Sequence, residues 1–143
     1  MEFLKVETMN STRLACLPFL ALALTQLQTA GAQTLLTGEQ VYKQTCAACH
    51  GSGVADAPQF GDRKKWKPLI AEGQHVLTAH AWVGVRGMPP KGGRADLSLE
   101  EFARAVAFMS REAGAKWQDP DPKMMEKIRH EEKRRIASVN HKK

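Results

Sequence analysis

Apolar residues recur along this chain at helical spacing rather than at the two-residue spacing of strands. The clearest run opens at Ser98, because Ser98 and Glu101 have the separation of a capping box at a helix N-terminus. Its apolar positions keep the helical period until Gly114: Leu99, Phe102, Ala103, Val106 and Met109. Thr37 and Gln40 form a second capping box, which predicts a short helix. No segment alternates like a strand over any length, so the sequence predicts an all-α fold.

Two more helical segments are predicted between these capping boxes. Asp62 can cap a segment that holds Trp66 and Ile70, and Pro68 is expected to limit its length. Gly73 separates it from a second segment with apolar and His residues at helical spacing: Val76, Leu77, His80, Ala81 and Val83. The connections between the predicted helices are long and rich in glycine and proline.

An uncharged apolar run, from Leu14 to Leu24, follows Arg13 near the start of the chain, and Ala30-Gly31-Ala32 comes after it. This is the order of charged region, apolar region and cleavage site in a secretory signal peptide. The run is shorter than the roughly 20 apolar residues of a membrane-spanning helix. We therefore predict a cleavable signal peptide at residues 1–32, with an uncleaved N-terminal anchor as the alternative. Translation from Met9 instead of Met1 would give a signal peptide of more ordinary form.

Charge and cysteine content narrow the class of protein. The chain has 21 Lys and Arg residues against 15 Asp and Glu residues, for a net charge of +6 at pH 7. Such a balance suits acidic proteins, anionic membranes or nucleic acid, and export argues against nucleic acid. Because Cys16 falls in the predicted signal peptide, Cys46 and Cys49 are the only cysteines expected in the mature chain. A small exported domain of this kind needs another source of stability, such as a bound cofactor.

The chain changes character after Trp117. Asp119-Pro120-Asp121-Pro122 is typical of a hinge or linker, and residues 123–143 are rich in charge and poor in large apolar side chains. We therefore predict one domain at residues 33–117, followed by a charged, partly helical C-terminal tail at residues 118–143. The tail is either a solvated extension or a docking arm for an acidic partner or an anionic membrane surface.

The strongest chemical signal is Cys46-Ala47-Ala48-Cys49-His50, which has the C-x-x-C-H form of a covalent haem attachment site. Thiols at this spacing can add to the two vinyl groups of one porphyrin, and the adjacent His50 can offer an imidazole nitrogen to the iron. A thioredoxin-like redox motif would need a βαβ context, and a zinc site would need two more ligands at suitable spacing. Neither context is visible, so we predict one covalently bound haem c.

The other face of the iron needs a ligand or an open position. Met88 is the leading candidate, because it lies in the loop Gly87-Met88-Pro89-Pro90-Lys91-Gly92-Gly93, which can be neither a helix nor an inner strand. A methionine in such a loop has no helix face to fill. His75 and His80 are the rival ligands on spacing. Axial ligation by His50 and Met88 predicts electron transfer rather than gas binding or catalysis.

The chain resembles the class I c-type cytochromes, and within them the cytochrome c5 family. The resemblance covers about Leu36 to Trp117. It rests on Val41-Tyr42, the haem motif, Gly53-Val54-Ala55-Asp56-Ala57-Pro58, Gly61-Asp62, Trp66, His80-Ala81 and, above all, the loop from Gly87 to Gly93. It implies a small class I cytochrome c fold of helices and long loops wrapped around one haem, with the first and last core helices crossing. It also implies His50 and Met88 as axial ligands.

Two features depart from that family pattern. Members often carry an additional cysteine pair just after the Gly-Gly, and here those places are taken by Arg94 and Leu97. The tail after Trp117 has no counterpart in the pattern.

These observations predict a one-electron carrier, not an enzyme, in a periplasmic respiratory chain of Gram-negative bacterial type. Redox proteins with acidic surfaces are expected to dock transiently at the exposed haem edge, steered by a rim of basic side chains: Lys64, Lys65, Lys67 and Lys91. No nucleic acid is expected, and the membrane would be contacted only weakly at its surface. The first alternative is a haem relay subunit tethered to a larger oxidoreductase complex. The second is a thiol-disulfide oxidoreductase without haem.

Overall fold

The structure, a computed structural model, describes residues 34–141, and the predicted signal peptide lies outside them. Its α-helices are α1 Gly38–Val41, α2 Ala47–His50, α3 Arg63–Ala71, α4 Gln74–Val83, α5 Leu99–Glu112 and α6 Pro122–Asn140. A π-helical stretch, Tyr42–Cys46, joins α1 to α2, and short 3-10 turns cover Val54–Asp56 and Pro90–Gly93. Across residues 34–141 the pairing of β type is limited to an isolated bridge between Val85 and Met88. The predicted all-α class is therefore confirmed.

The first helical run begins at the predicted capping box. The Thr37 hydroxyl accepts from the Gln40 amide at 3.2 Å, and the Gln40 side chain accepts from the Thr37 amide at 2.8 Å. Helix α1 then widens into the π-helical stretch and continues as α2, so one run of helix ends at the haem motif. Such local widening often occurs at functional sites, because it changes which side chains share a face.

Helix α1 crosses helix α5 at a close approach that Gly38 permits. A Cβ atom on Gly38 would overlap the carbonyl oxygen of Arg104 and lie 2.9 Å from the Cβ atom of Phe108. Both helices bury their facing side chains there, including Val41 and Phe102. The expected crossing of the first and last core helices is thus observed, and the hydrogen atom of glycine is what allows it.

Aromatic side chains connect this crossing to the loops around it. The rings of Tyr42 and Phe60 stack with centroids 4.3 Å apart, and Phe108 lies against both at 5.8 Å and 5.6 Å. This cluster joins the π-helical stretch, the loop before α3, and α5. The three rings are half-buried and pack together beside the haem motif.

Arg94 takes one of the two places where the resemblance to the cytochrome c5 family predicts a cysteine. Its guanidinium donates to the side chains of Gln44 at 3.0 Å and Thr45 at 3.3 Å, which ties the loop before α5 to the π-helical stretch. Leu97, at the second such place, is buried in the core. The hydrogen bonds of Arg94 and the burial of Leu97 therefore fix this segment in the absence of a disulfide.

Helix α3 is longer than expected. Its N-cap is the predicted Asp62, whose carboxylate accepts from the amides of Lys64 and Lys65, but the helix continues through Pro68 to Ala71. Pro68 lacks the amide that would bond the carbonyl of Lys64. Lys64 is exposed, so water can satisfy that carbonyl and the helix tolerates the proline.

The charged C-terminal segment is a packed helix rather than a solvated tail. Helix α6 lies along α4 and buries Met125 and Ile128, which are 3% and 0% exposed. The Trp82 indole donates to the Glu132 carboxylate across this interface at 2.8 Å. The charge of the segment obscured its short apolar face, because only a few positions of a surface helix have to be apolar for it to dock.

Candidate haem site

A cavity of about 1030 Å³ lies among α2, α3, α4, α5 and the Met88 loop. Its wall is largely apolar, with Trp66, Leu69, Leu77, Val106 and Met109 among the residues that line it. The volume is at the upper end of ordinary ligand pockets, which hold about 300–1,000 Å³. A large, flat, mainly apolar cofactor fits such a space.

Cys46 and Cys49 line the same cavity from the helical run that ends at His50. They lie three residues apart, so both thiols are on one face of this helix. Cys46 is buried and Cys49 is exposed, and neither forms a disulfide. Burial, reinforced by the neighbouring Cys49, raises the pKa of the Cys46 thiol from 9.0 to about 11.

These cysteines do not resemble a thiol-disulfide centre. Redox motifs of that kind have a cysteine with a lowered pKa, since the thiolate is the nucleophile, and they belong to a sheet-containing fold. Here the pKa of Cys46 is raised, and residues 34–141 contain no sheet. Across that range there is also no group of three His, Cys, Asp or Glu side chains placed to hold a metal ion.

His50 is held in one orientation by the loop that follows it. Its Nδ1 lies 2.9 Å from the carbonyl oxygen of Pro58, and the ring is 8% exposed. A carbonyl can only accept, so Nδ1 carries the hydrogen and donates. In the neutral ring this leaves Nε2 with a free lone pair, which is the atom an iron would use.

The Pro58–Phe60 loop is itself fastened to the end of α2. The Phe60 amide donates to the His50 carbonyl at 2.7 Å, and the Gln59 side chain donates to the Gly51 carbonyl at 3.1 Å. From α3, the Trp66 indole donates to the Gln59 carbonyl at 2.8 Å. The acceptor that orients His50 is therefore fixed by three further hydrogen bonds.

Met88 enters the cavity from a tight loop. Its backbone pairs with Val85 in both directions, at 3.1 Å and 2.9 Å, and its half-buried side chain packs against the core. Gly84 begins this loop with φ +99, and a Cβ atom there would lie 3.1 Å from Pro90 and 3.3 Å from the Met88 carbonyl. The turn from α4 into this loop therefore depends on a glycine, because other residues rarely adopt this backbone conformation.

The rival histidines are placed differently. His80 lines the cavity, but its two ring nitrogens lie 3.4 Å from Glu72 and 3.7 Å from Glu131. His75 lies in a separate shallow pocket between α4 and α6.

Of the four lysines proposed as a basic rim, two have partners within the described chain. Lys65 pairs with Asp56 at 3.0 Å, and the ammonium of Lys91 lies 4.9 Å from the centre of the Trp82 ring. Lys64 and Lys67 are exposed on α3.

One residue that sequence reasoning missed is Arg135 of α6, which also lines the cavity. Nothing in the local sequence marks it, because its position depends on how α6 packs against α4. The spacing of Met125 and Ile128 would have indicated that packing.

Among residues 34–141 there is no helix long and apolar enough to cross a membrane.

Comparisons with known proteins indicate the family of this chain. The family described as cytochrome C oxidase, cbb3-type, subunit III matches residues 33–109. Cytochrome c5 of Azotobacter vinelandii is 40% identical over 76 residues, which are 52% of this chain and 92% of that protein. Cytochrome c-555 of Chlorobaculum tepidum is also 40% identical over 76 residues, or 50% of this chain and 70% of that protein.

A solved structure is similar as well, and its title describes an electron transfer complex of nitrite reductase with cytochrome c. The matched chain is 41% identical with a TM-score of 0.52, and the match covers 56% of this chain and 99% of the other. The two thiols, the oriented imidazole, the thioether and the apolar cavity all suit a covalently attached haem. The chain therefore belongs to the c-type cytochromes, as a small class I member of the cytochrome c5 family, an electron carrier with covalently bound haem c.

Proposed function

We propose that this cytochrome carries single electrons between redox proteins of a periplasmic respiratory chain. Cys46 and Cys49 form the thioether bonds to its single haem, and His50 and Met88 are the axial ligands of the iron. The observation that carries the proposal is that all four side chains line one apolar cavity, where the Pro58 carbonyl already orients the imidazole of His50. The haem supplies a reversible one-electron change at iron.

His50 contributes both a ligand atom and a fixed tautomer. The hydrogen bond from Nδ1 to Pro58 keeps the proton on that nitrogen, so Nε2 remains available in either redox state. Because three other hydrogen bonds hold the Pro58–Phe60 loop, the imidazole has little freedom to turn or leave. A ligand that moves little keeps the reorganisation on electron transfer small.

Met88 contributes a soft thioether ligand from a loop closed by its own backbone pairing with Val85. Thioether ligation favours the ferrous state relative to a second imidazole and so raises the reduction potential. With His50 and Met88 both bound to it, the haem iron would offer no position for a substrate. The apolar wall around them excludes water and keeps the local dielectric low.

Partners are proposed to dock at the side of the cavity where Cys49 is exposed. Val54, which also lines the cavity, is 55% exposed and supplies an apolar contact there. Lys64 and Lys67 lie on the neighbouring α3 and would steer an acidic partner toward this edge. The similar cytochrome solved with nitrite reductase makes an electron-accepting enzyme of that kind a suitable partner.

Spectra of the exported protein test the ligand assignment. We expect a c-type reduced-minus-oxidised spectrum, and no carbon monoxide binding in the reduced wild type. Met88→Ala should open the sixth position, bind carbon monoxide and lower the reduction potential. Met109→Leu, which changes a methionine of α5 that also lines the cavity, is the matched control and should keep the wild-type ligation. If Met88→Ala leaves the spectrum and potential unchanged, Met88 is not the ligand.

Cellular location is tested separately. The pattern at residues 1–32 supports export, and the net charge of +6 would allow weak contact with an anionic membrane surface. We expect the mature protein in the periplasmic fraction, with an N-terminus at Gln33. Recovery of the uncleaved chain in the membrane fraction would contradict this and support the anchor.

A second candidate is a haem relay subunit of a larger oxidoreductase, because the matching family is described as an oxidase subunit. In that case the exposed basic side chains of α6, such as Arg129 and Lys133, would attach to the complex. The native mass of the protein extracted in mild detergent distinguishes the two. A free carrier migrates at its own mass, whereas a relay subunit migrates with its complex and is released when Arg129 and Lys133 are changed to Glu.

A further inference from the structure

Helix α6 brings a cationic side chain to the wall of the haem cavity. Arg135 lines that cavity although it lies 26 residues beyond the region matched by the family model, which ends at residue 109. Its Nε atom is screened from solvent and has no hydrogen-bond partner within residues 34–141. A buried N–H of a cation is unfavourable without an acceptor, so this atom calls for one.

Two carboxylates of α6 and one on the cavity wall, those of Glu131, Glu132 and Glu72, have other partners. Glu131 accepts from Arg134 at 3.0 Å and lies 3.7 Å from His80. Glu132 accepts from the Trp82 indole at 2.8 Å, and Glu72 lies 3.4 Å from His80. The acceptor for Arg135 is therefore expected inside the cavity.

The chemistry of haem supplies such an acceptor. A porphyrin that is bound through its vinyl groups to Cys46 and Cys49 carries two carboxylates at the edge remote from those bonds. A partner for them has to come from an element other than the helical run with the cysteines, and α6 is such an element. The other arginine of the cavity wall, Arg86, is exposed and needs no acceptor there.

We propose that Arg135 binds a carboxylate of the haem, so that α6 is part of the haem site rather than an appendage. The guanidinium is suited to this, because its planar donors match both oxygens of a carboxylate. The inference rests on the proposed attachment of haem in this cavity. It makes Arg135 a positioning residue: it would hold the edge of the haem, and its positive charge on the cavity wall would favour the ferrous state.

Infrared and redox measurements on the holoprotein test this. Redox-induced infrared difference spectra are recorded on protein whose haem is labelled with 13C at its carboxyl carbons. Arg135→Gln should shift the labelled bands. It should also raise the ferric-to-ferrous ratio at a fixed applied potential by roughly threefold or more, since a nearby positive charge is lost. Arg129→Gln removes the same charge from an exposed position of α6 and should leave the labelled bands unchanged.

Arg135→Lys tests whether a change seen in Arg135→Gln arises only because α6 no longer packs on the domain. It keeps the positive charge, so the ferric-to-ferrous ratio should stay within about twofold of the wild type, while the labelled bands still shift because the paired donors are gone. Labelled bands that are unchanged in both Arg135 variants would overturn the inference and leave the haem attachment untouched. Absence of covalent haem in the wild type would instead overturn the proposed function, and this inference with it.

Discussion

The indole nitrogen of Trp82 donates a hydrogen bond of 2.8 Å to the carboxylate of Glu132. Trp82 belongs to α4, packs edge-on against Phe102 of α5 at 5.3 Å, and lies beneath the ammonium of Lys91. One side chain therefore joins the C-terminal helix, the core and the loop after Met88. These contacts explain how a helix beyond the residues matched by the family model, 33–109, becomes part of the domain.

Removing the hydrogen bond between Trp82 and Glu132 should weaken the packing of α6 on α4 without disturbing haem attachment. Glu132→Ala leaves the indole N–H of Trp82 without its acceptor, and we expect a loss of about 1–2 kcal/mol in the free energy of unfolding. Denaturant unfolding followed by circular dichroism measures it. Glu126→Ala, at an exposed position of α6, is the control and should change stability by less than about 0.5 kcal/mol. Equal effects of the two changes would mean that the Trp82 bond contributes nothing.

Gly38→Ala should be among the most damaging small changes in this chain. The added Cβ atom would overlap the carbonyl of Arg104, which is backbone in the middle of α5 and cannot rotate away. We expect a loss of about 3 kcal/mol or more, since α1 and α5 have to separate. Gly87→Ala adds the same atom where the nearest neighbours are 3.7 Å away, so it should be tolerated. Thermal unfolding of the holoproteins compares them, and a mild effect of Gly38→Ala would contradict the close crossing.

Acid should weaken the start of α5 through Glu101. The pKa of Glu101 is lowered from 4.5, first by the hydrogen bond from the Ser98 hydroxyl, and also by the amides of Leu36 and Ser98. A lowered pKa in the folded state means that the contribution to stability is complete above about 4.5. It is then lost as the pH falls through the folded pKa, because the unfolded chain takes up the proton first.

Substitution of Glu101 tests that dependence. Glu101→Gln should lower stability at pH 7 by about 1 kcal/mol and flatten the decline of stability below pH 4.5. Glu112→Gln, at an exposed position at the end of α5, should retain the wild-type slope. Free energies of unfolding from pH 7 to pH 3 provide the comparison. An unchanged slope in Glu101→Gln would place the acid sensitivity elsewhere.

Trp66 should matter through the loop that orients His50. Trp66→Phe keeps most of the apolar ring but removes the hydrogen bond to the Gln59 carbonyl, so we expect a loss of about 1–2 kcal/mol. The Pro58 carbonyl should also become less well placed for His50, which makes the imidazole a weaker donor to iron and raises the reduction potential slightly. Unfolding and potentiometric titration measure the two effects. Trp117→Phe, in the segment after α5, is the control and should leave the potential unchanged.

The local signals in the sequence located most of the helices. Both capping boxes, at Thr37 and Ser98, lie where their helices begin, and Gly84 follows the last residue of α4. These features depend on hydrogen bonds and backbone angles within a few residues, so they are readable without the fold. The predicted length of α3 was wrong, because the effect of Pro68 depends on whether water can reach the carbonyl of Lys64. That accessibility is set by the folded surface and not by the local sequence.

The C-x-x-C-H motif, the spacing of apolar residues and the Met-Pro loop were enough to determine the class of fold and the cofactor, because each is a local arrangement with a direct chemical meaning. The tertiary structure decided what depends on distant residues meeting. It placed the Pro58 carbonyl against His50 and brought α1 close to α5 at Gly38. It also packed α6 on α4, so that Arg135 lines the cavity. Such contacts form only when the chain buries its apolar surfaces together, and a local pattern records only one side of each.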